Sequence, residues 1–387
     1  MSKLDELIAT TCPDGVEYKP LCELAIIQRG VRVVRKQLSA DGEYPVYQNS
    51  LTPLGYHTEK NCESGTTFVI CAGAAGDVGF SNVDFWAADD CHYIKSTEKL
   101  LSRYLYHILL WQQPYLYSQV RRGSIPRLSR TVLEKIKIPV PPLPVQHEIV
   151  RILDNFTELT AELTAELTAR KKQYEYYKTN LLSSENNSTI TLDELFDTRN
   201  GFTPSKGNKA FWENGVLPWF RMEDIRENGR VLSDALQHIT IEAAKNNPFP
   251  ANSIIVSTSA TIGEHALILC DFLSNQRFTC LTLKKKYEKL FDIKFLFYYC
   301  YKLDEYCINN LNQGNFASVD MAKFRKFAFP IIPLEEQKRI VIILDRFDRL
   351  CYDITNGLPA EISARQKQYE YYRDKLLTFK QREEVSA

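Results

Sequence analysis

The segment AGAAG, Ala72 to Gly76, follows the β-branched run TTFVIC, a setting in which glycine amides can cradle a phosphate. No helical pattern opens after it, and no acidic residue closes a second strand at the distance a dinucleotide fold requires. A tight β-turn is the better reading. The six histidines, His57, His92, His107, His147, His238 and His265, make no H-x-E or H-E-x-x-H spacing. Ten cysteines are scattered without a C-x-x-C pair, which argues against zinc or disulfides and for reduced, buried thiols in a cytoplasmic protein. The stretch SIPRLSR holds no nucleophile elbow, and no D-x-D/E-x-K arrangement suggests a nuclease. Glu162 and Glu166, four residues apart, share a solvated helix face, where they could at most help select a partner. No catalytic set is left, so any reaction must be supplied by partners.

Recognition groups remain. Lys and Arg number 48 and Asp and Glu 48, so overall charge gives no attraction to a polyanion and contacts must come from local patches. RGVRVVRK brings Arg29, Arg32 and Arg35 together without an acid, and the segment 121–137 holds six basic residues against Glu134 alone. In that segment Arg121, Arg122, Ser124 and Arg127 surround Gly123. Later in the chain, RNGFTPSKGNK carries Arg199 and Lys206, and Asn312, Gln313 and Asn315 flank Gly314. Arg221 and Gln276 are further candidates of the same types. Arg reads guanine and Asn or Gln reads adenine by paired hydrogen bonds, while Lys mostly holds phosphate.

The elements that position these groups occur twice. At a shift of 191 residues PVPPLPVQHEIVRILDNF falls on PIIPLEEQKRIVIILDRF with 10 of 18 positions identical, and at a shift of 195 AELTARKKQYEYYKTNLL falls on AEISARQKQYEYYRDKLL with 12 of 18. The shift changes by four, the length of one of the two TAEL units at 160–163 and 164–167. Upstream, each copy has an apolar segment ending in glycine, a G-x-x-P pair (Gly42 and Pro45; Gly215 and Pro218), a β-branched run with a glycine turn, and a long aromatic helix-like stretch. Each upstream region reads as α+β.

The repeated blocks read as coiled-coil helices. In the first, Ile149, Ile152, Phe156, Leu159, Leu163, Leu167, Tyr174, Tyr177 and Leu181 form a seam, with Arg170 filling one step. In the second the seam runs Ile340, Ile343, Phe347, Leu350, Ile354, Leu358, Ile362, Arg365, Tyr369, Tyr372 and Leu376, and Gly357 with Pro359 should break it. A helix from Val145 to Leu182 extends about 57 Å, long enough to serve as a spacer. Two like helices in one chain invite antiparallel pairing. No run approaches the length of a membrane span, and the N-terminus lacks a secretory pattern.

In this order of segments the whole chain resembles the specificity subunits of type I restriction-modification systems, strongly in the two helical blocks. The resemblance implies two target recognition domains, 1–144 and 190–332, related by duplication and held apart by helical regions 145–189 and 333–387 in an antiparallel intramolecular coiled coil. It implies a non-catalytic reader of a bipartite double-stranded DNA target, whose helices bind two modification (methyltransferase) subunits and then restriction subunits. No cofactor is expected in this chain; S-adenosylmethionine, ATP and Mg belong to the partners. NPFP, Asn247 to Pro250, approaches the N-P-P-F tetrapeptide of adenine methyltransferases, but its third residue is not proline and a turn fits better. The competing reading is a coiled-coil scaffold that dimerises methyltransferase subunits without touching DNA.

Overall fold

In a computed structural model describing residues 3–183, 187–244, 247–312, 317–353 and 355–382, the two β-branched runs are interior strands of two like sheets. In the first copy the antiparallel order is Ala25–Arg29, Cys91–Ser96, Thr66–Ile70, Val78–Ser81. The second copy repeats it as Phe196–Asn200, Phe278–Leu283, Ser253–Ser257, His265–Ile268, and adds Val231–Leu232 in parallel at the edge. SIIVS is buried at all five positions, as a strand covered on both faces must be. A small mixed sheet accompanies each: Tyr44–Tyr47 between Tyr56–His57 and Trp86–Ala87, and Leu217–Phe220 between His238–Ile239 and Leu273–Ser274. The α+β architecture and the duplication are both present.

Each copy is closed by a ribbon that joins its beginning to its end. Glu17–Pro20 pairs with Lys137–Val140, and Thr189–Thr191 with Ala328–Pro330. The glycine after each opening strand has one reason in both copies: a Cβ on Gly30 would lie 2.2 Å from the Ala88 carbonyl oxygen, and one on Gly201 2.2 Å from that of Asn275.

The aromatic stretches differ. The second is one helix, Ile293–Asn309, capped by Asp292, whose carboxylate accepts from the amides of Lys294 and Phe295. The first, expected to be equally long, is broken into Ser102–Trp111 and Gln113–Ser118. Pro114 has no amide proton to continue the ladder.

By contacts the chain divides into two compact units, Met1–Glu166 with Pro359–Ala387, and Leu167–Leu358. The division cuts the central helix, Leu143–Leu181, inside the second TAEL unit, because each domain holds the part of the helix that packs on it. In the first unit Val145, Ile149 and Leu153 are buried with Tyr104, Leu105 and Ile108. In the second, Tyr174 and Leu182 are buried with Phe295, Leu296 and, from the distal arm, Ile340 and Leu344. That arm is two helices, Leu334–Tyr352 and Leu358–Leu377, interrupted where expected. A Cβ on Gly357 would meet the Arg349 carbonyl oxygen at 2.5 Å.

The seam follows its expected period. Leu163 and Leu167 are half-buried between exposed neighbours, as are Ile362 and Tyr369, and Leu159 is half-buried beside Thr160; Ile354 lies outside the described residues. In the first unit Phe156 stacks on Tyr372 of the last helix at 5.4 Å. In the second, Tyr174 and Tyr177 stack on Phe347 of the preceding helix at 5.9 and 5.4 Å. The early part of the central helix thus meets the last helix and its late part the one before, an antiparallel order.

One carboxylate fastens each aromatic helix to its long helix. Asp154 accepts from Arg103 Nε at 2.9 Å and lies 2.8 Å from His107 Nε2. Displaced by 191 residues, Asp345 accepts from Lys294 Nζ and the Tyr298 hydroxyl, each at 2.7 Å. Burial pushes the His107 imidazole below its ordinary value of 6.5, against the opposing hydrogen bond to Asp154. Its folded value is the lower one, so the unfolded chain takes up the proton first as pH falls. The first unit is therefore expected to lose thermal stability as pH falls through about 6.5 and below. His107→Gln should flatten that slope in a melting-temperature profile; an unchanged slope would assign the loss to other groups.

Candidate nucleic-acid interface

The basic glycine loop of the first copy is a short hairpin. Arg121 and Arg127 exchange backbone hydrogen bonds at 2.9 and 3.1 Å, leaving Arg122, Gly123, Ser124 and Ile125 exposed at the tip. The hairpin is pinned to the AGAAG turn, with the Gly73 amide donating to Pro126 and the Leu128 amide to Cys71. Gly73 and Gly76 have φ of +85° and +97°, so this segment is a tight turn between Thr66–Ile70 and Val78–Ser81, in keeping with its sequence.

The second copy builds the same attachment from different residues. Leu311 bridges Val319, Ser259 bridges Ser318, the Ala260 amide donates to Ala317 and the Val319 amide to Thr258. Ala260 takes the place of Gly73 and its left-handed conformation, φ +66°. The pinning bonds match, with Arg127 replaced by Ser318, while the hairpin closes differently: Arg121 and Arg127 exchange two bonds, whereas the Asn312 amide donates to Ser318 and Leu311 bridges Val319, so the attachment is shared and the side chains it offers are not. Gln313, Asn315 and Gly314 lie outside the described residues. Asn312 is exposed, with its side-chain amide nitrogen donating to the Ser318 hydroxyl at 3.3 Å and the Val319 carbonyl at 3.2 Å.

The remaining candidates fall into two groups. Arg32, Arg35, Arg121, Arg122, Arg127 and Lys206 are exposed, and none makes an ion pair among the described residues. Arg29 and Arg199 brace their own domains: Arg29 Nε donates to the Asp89 carbonyl at 2.7 Å, and Arg199 donates to Asn247 at 2.6 Å while lying 4.1 Å over the Phe249 ring. The Gln276 side chain accepts from the Thr203 hydroxyl. Arg221 Nε is buried with no hydrogen-bond partner. Sequence reasoning missed the pinning of the loops, whose signal is only the recurring glycine turn. It also missed the aromatic surroundings of Arg221.

Among the described residues no three His, Cys, Asp or Glu side chains could hold a metal, and no helix is long and apolar enough to cross a membrane. Two like domains, each presenting one pinned loop and joined through a long helix, define a paired recognition protein. The family pattern of the type I restriction modification DNA specificity domain fits residues 13–170 and again 184–364, so the chain belongs to the family of type I DNA specificity subunits, which are non-catalytic. The EcoprrI type I restriction enzyme specificity subunit of Escherichia coli is 53% identical over 202 residues, half of this chain and half of that protein. A second Escherichia coli type I specificity subunit is 40% identical over 307 residues, 74% of this chain and 73% of its own length. The S subunit of a type I restriction-modification system from M. genitalium shares the fold, with a TM-score of 0.62 at 16% identity over 94% of this chain and 96% of that one.

Proposed function

We propose that this chain reads a bipartite, asymmetric DNA target, the domain of residues 1–144 taking one half-site and that of 190–332 the other. The observation that supports this most is the pair of loops pinned by the same bonds to the preceding turn but armed differently, Arg121 and Arg127 against Asn312 and Ser318. Like scaffolds set like positions on DNA, and unlike side chains read unlike bases. A scaffold without DNA contact has no use for unpaired arginines at one loop tip. Mapping N6-methyladenine across a genome in cells expressing this chain with a modification subunit tests the reading. One two-part asymmetric motif is expected; a palindrome or a single continuous motif overturns it.

Two modification subunits fit the stalk because its aromatic surface occurs twice. Tyr176 and Tyr177 are 65% and 38% exposed, and Tyr371 and Tyr372, in the repeated QYEYY, 63% and 39%. Each pair has its rings edge to face, at 5.6 and 5.4 Å. Exposed aromatic pairs of one geometry suit two copies of one partner. Restriction subunits join that assembly, and S-adenosylmethionine, ATP and Mg act in the partners.

For the loop itself, replacing Arg121, Arg122 and Arg127 together by alanine is expected to weaken DNA binding by the assembled complex. The slope of log affinity against log salt should fall by about 2–3, near 0.9 for each phosphate no longer neutralised. Filter binding across a salt titration measures it, and an unchanged slope removes the segment from the interface.

A further inference from the structure

Beside Arg221 the second domain carries a pocket of about 410 Å³, lined by Lys206, Lys209, Trp212, Glu213, Trp219, Arg221 and Gln237. Its wall is aromatic: Trp212 and Trp219 meet edge to face at 5.0 Å and 82°. Both indole N–H groups are already used, Trp212 Nε1 donating to Ser205 O and Trp219 Nε1 to Phe202 O, each at 3.0 Å. The indoles therefore offer the pocket carbon surface. Lys206 and Lys209 are exposed and make no ion pair among the described residues. The Arg221 guanidinium lies 5.8 Å from the Trp219 ring centre, and its buried Nε, 3.9 Å from the Glu223 carboxylate, makes no hydrogen bond.

Flat carbon surface, two unpaired ammonium groups and an unsatisfied guanidinium N–H suit a flat heteroaromatic ring that carries an anion. We infer that this pocket receives one nucleotide of the DNA target, turned out of the base stack, with its base against Trp212 and its phosphate against Lys206 and Lys209. Arg221 Nε donates to an acceptor on the base edge. Stacking on an indole is available to any base, so the discrimination comes from Arg221 and the Gln237 amide at that edge. The first domain has no counterpart: the strand position of Trp219, second residue from the end of Leu217–Phe220, is held in Tyr44–Tyr47 by the fully buried Val46. Only the second half-site should use an extruded base.

The inference rests on the reading of DNA by this domain, and one experiment separates the two. Methylated sites are mapped for the full complex with the wild-type chain, Trp212→Ala and Trp212→Phe, alongside the melting temperature of each. The Ala variant is expected to keep the first half-site, to relax one position of the second, and to methylate the original site about tenfold more slowly, with melting within a degree or so of wild type; the Phe variant, which keeps a ring, restores both. An Ala variant with unchanged motif and rate overturns the pocket while leaving the bipartite reading intact. Equal loss of activity in Ala and Phe, or a lowered melting temperature in both, assigns Trp212 to the fold and overturns the pocket as well. A wild-type complex without a two-part motif overturns the DNA reading itself.

Discussion

A third TAEL unit inserted after Leu167 is expected to preserve both half-site sequences and to lengthen the gap between them by one or two base pairs. Four residues add about 6 Å of helix and turn its downstream part by about 40°, against about 3.4 Å per base pair. The seam tolerates that turn, since four residues are close to one whole turn of about 3.6 and bring the downstream positions back near their original face. Two inserted residues add only about 3 Å but turn the same part by about 200°. Tyr174, 1% exposed within the second core, and Tyr177, stacked on Phe347, would then face away from their partners, costing several kcal/mol. The four-residue variant should methylate a site with a longer gap, and the two-residue variant should fail to assemble or melt early. Methylation of the original site by both would remove the helix from its role as ruler.

Replacing Gln337 by Leu should destabilise the second unit by about 3–5 kcal/mol, and Gln146→Leu the first unit similarly. Both amides are fully buried. Gln146 accepts from the Leu101 amide at 2.9 Å and donates to the carbonyls of Lys99 and Pro141 at 2.9 and 2.8 Å. Gln337 repeats the pattern, accepting from Asp292 at 2.8 Å and donating to Leu290 and Ile332 at 2.9 Å. Leucine fills the space and leaves three backbone groups buried without partners, each costing about 1–3 kcal/mol. The same bonds fix the first turn of each long helix to the loop before the aromatic helix, so they also set the angle at which a reader leaves its stalk. Urea unfolding of the single variants measures the loss, and a change below about 1 kcal/mol would show that water replaces the amide.

The sequence carried the periodic and repeated features well. The step of four between the two shifts located the TAEL difference, the apolar spacing picked Leu159, Leu163 and Leu167 as the seam, and Gly357 with Pro359 marked the break in the distal arm. These signals are local, and the physics that makes them, helical period and backbone geometry, acts over a few residues. What joins distant residues was hidden. Gln146 lies in an obviously repeated block, but nothing in its neighbours says that it bonds to Lys99 and Leu101, and Asp154 gives no sign of Arg103 and His107. A charge count likewise cannot see the carbonyls of Asp89 and Asn247 that hold Arg29 and Arg199. Trp212 and Trp219 lie seven residues apart on no common period, and only the fold brings their rings together.

The division of the chain inside the second TAEL unit has a hereditary side. A phrase of four residues is encoded by twelve nucleotides, so each addition or removal of a whole unit stays in reading frame. Such an event falls in the exposed stretch between two separately packed cores and alters neither. A lineage would thus acquire a new target, with a different gap and the same half-sites, in one in-frame change. The partner subunits that protect and cut would follow the new address without changing.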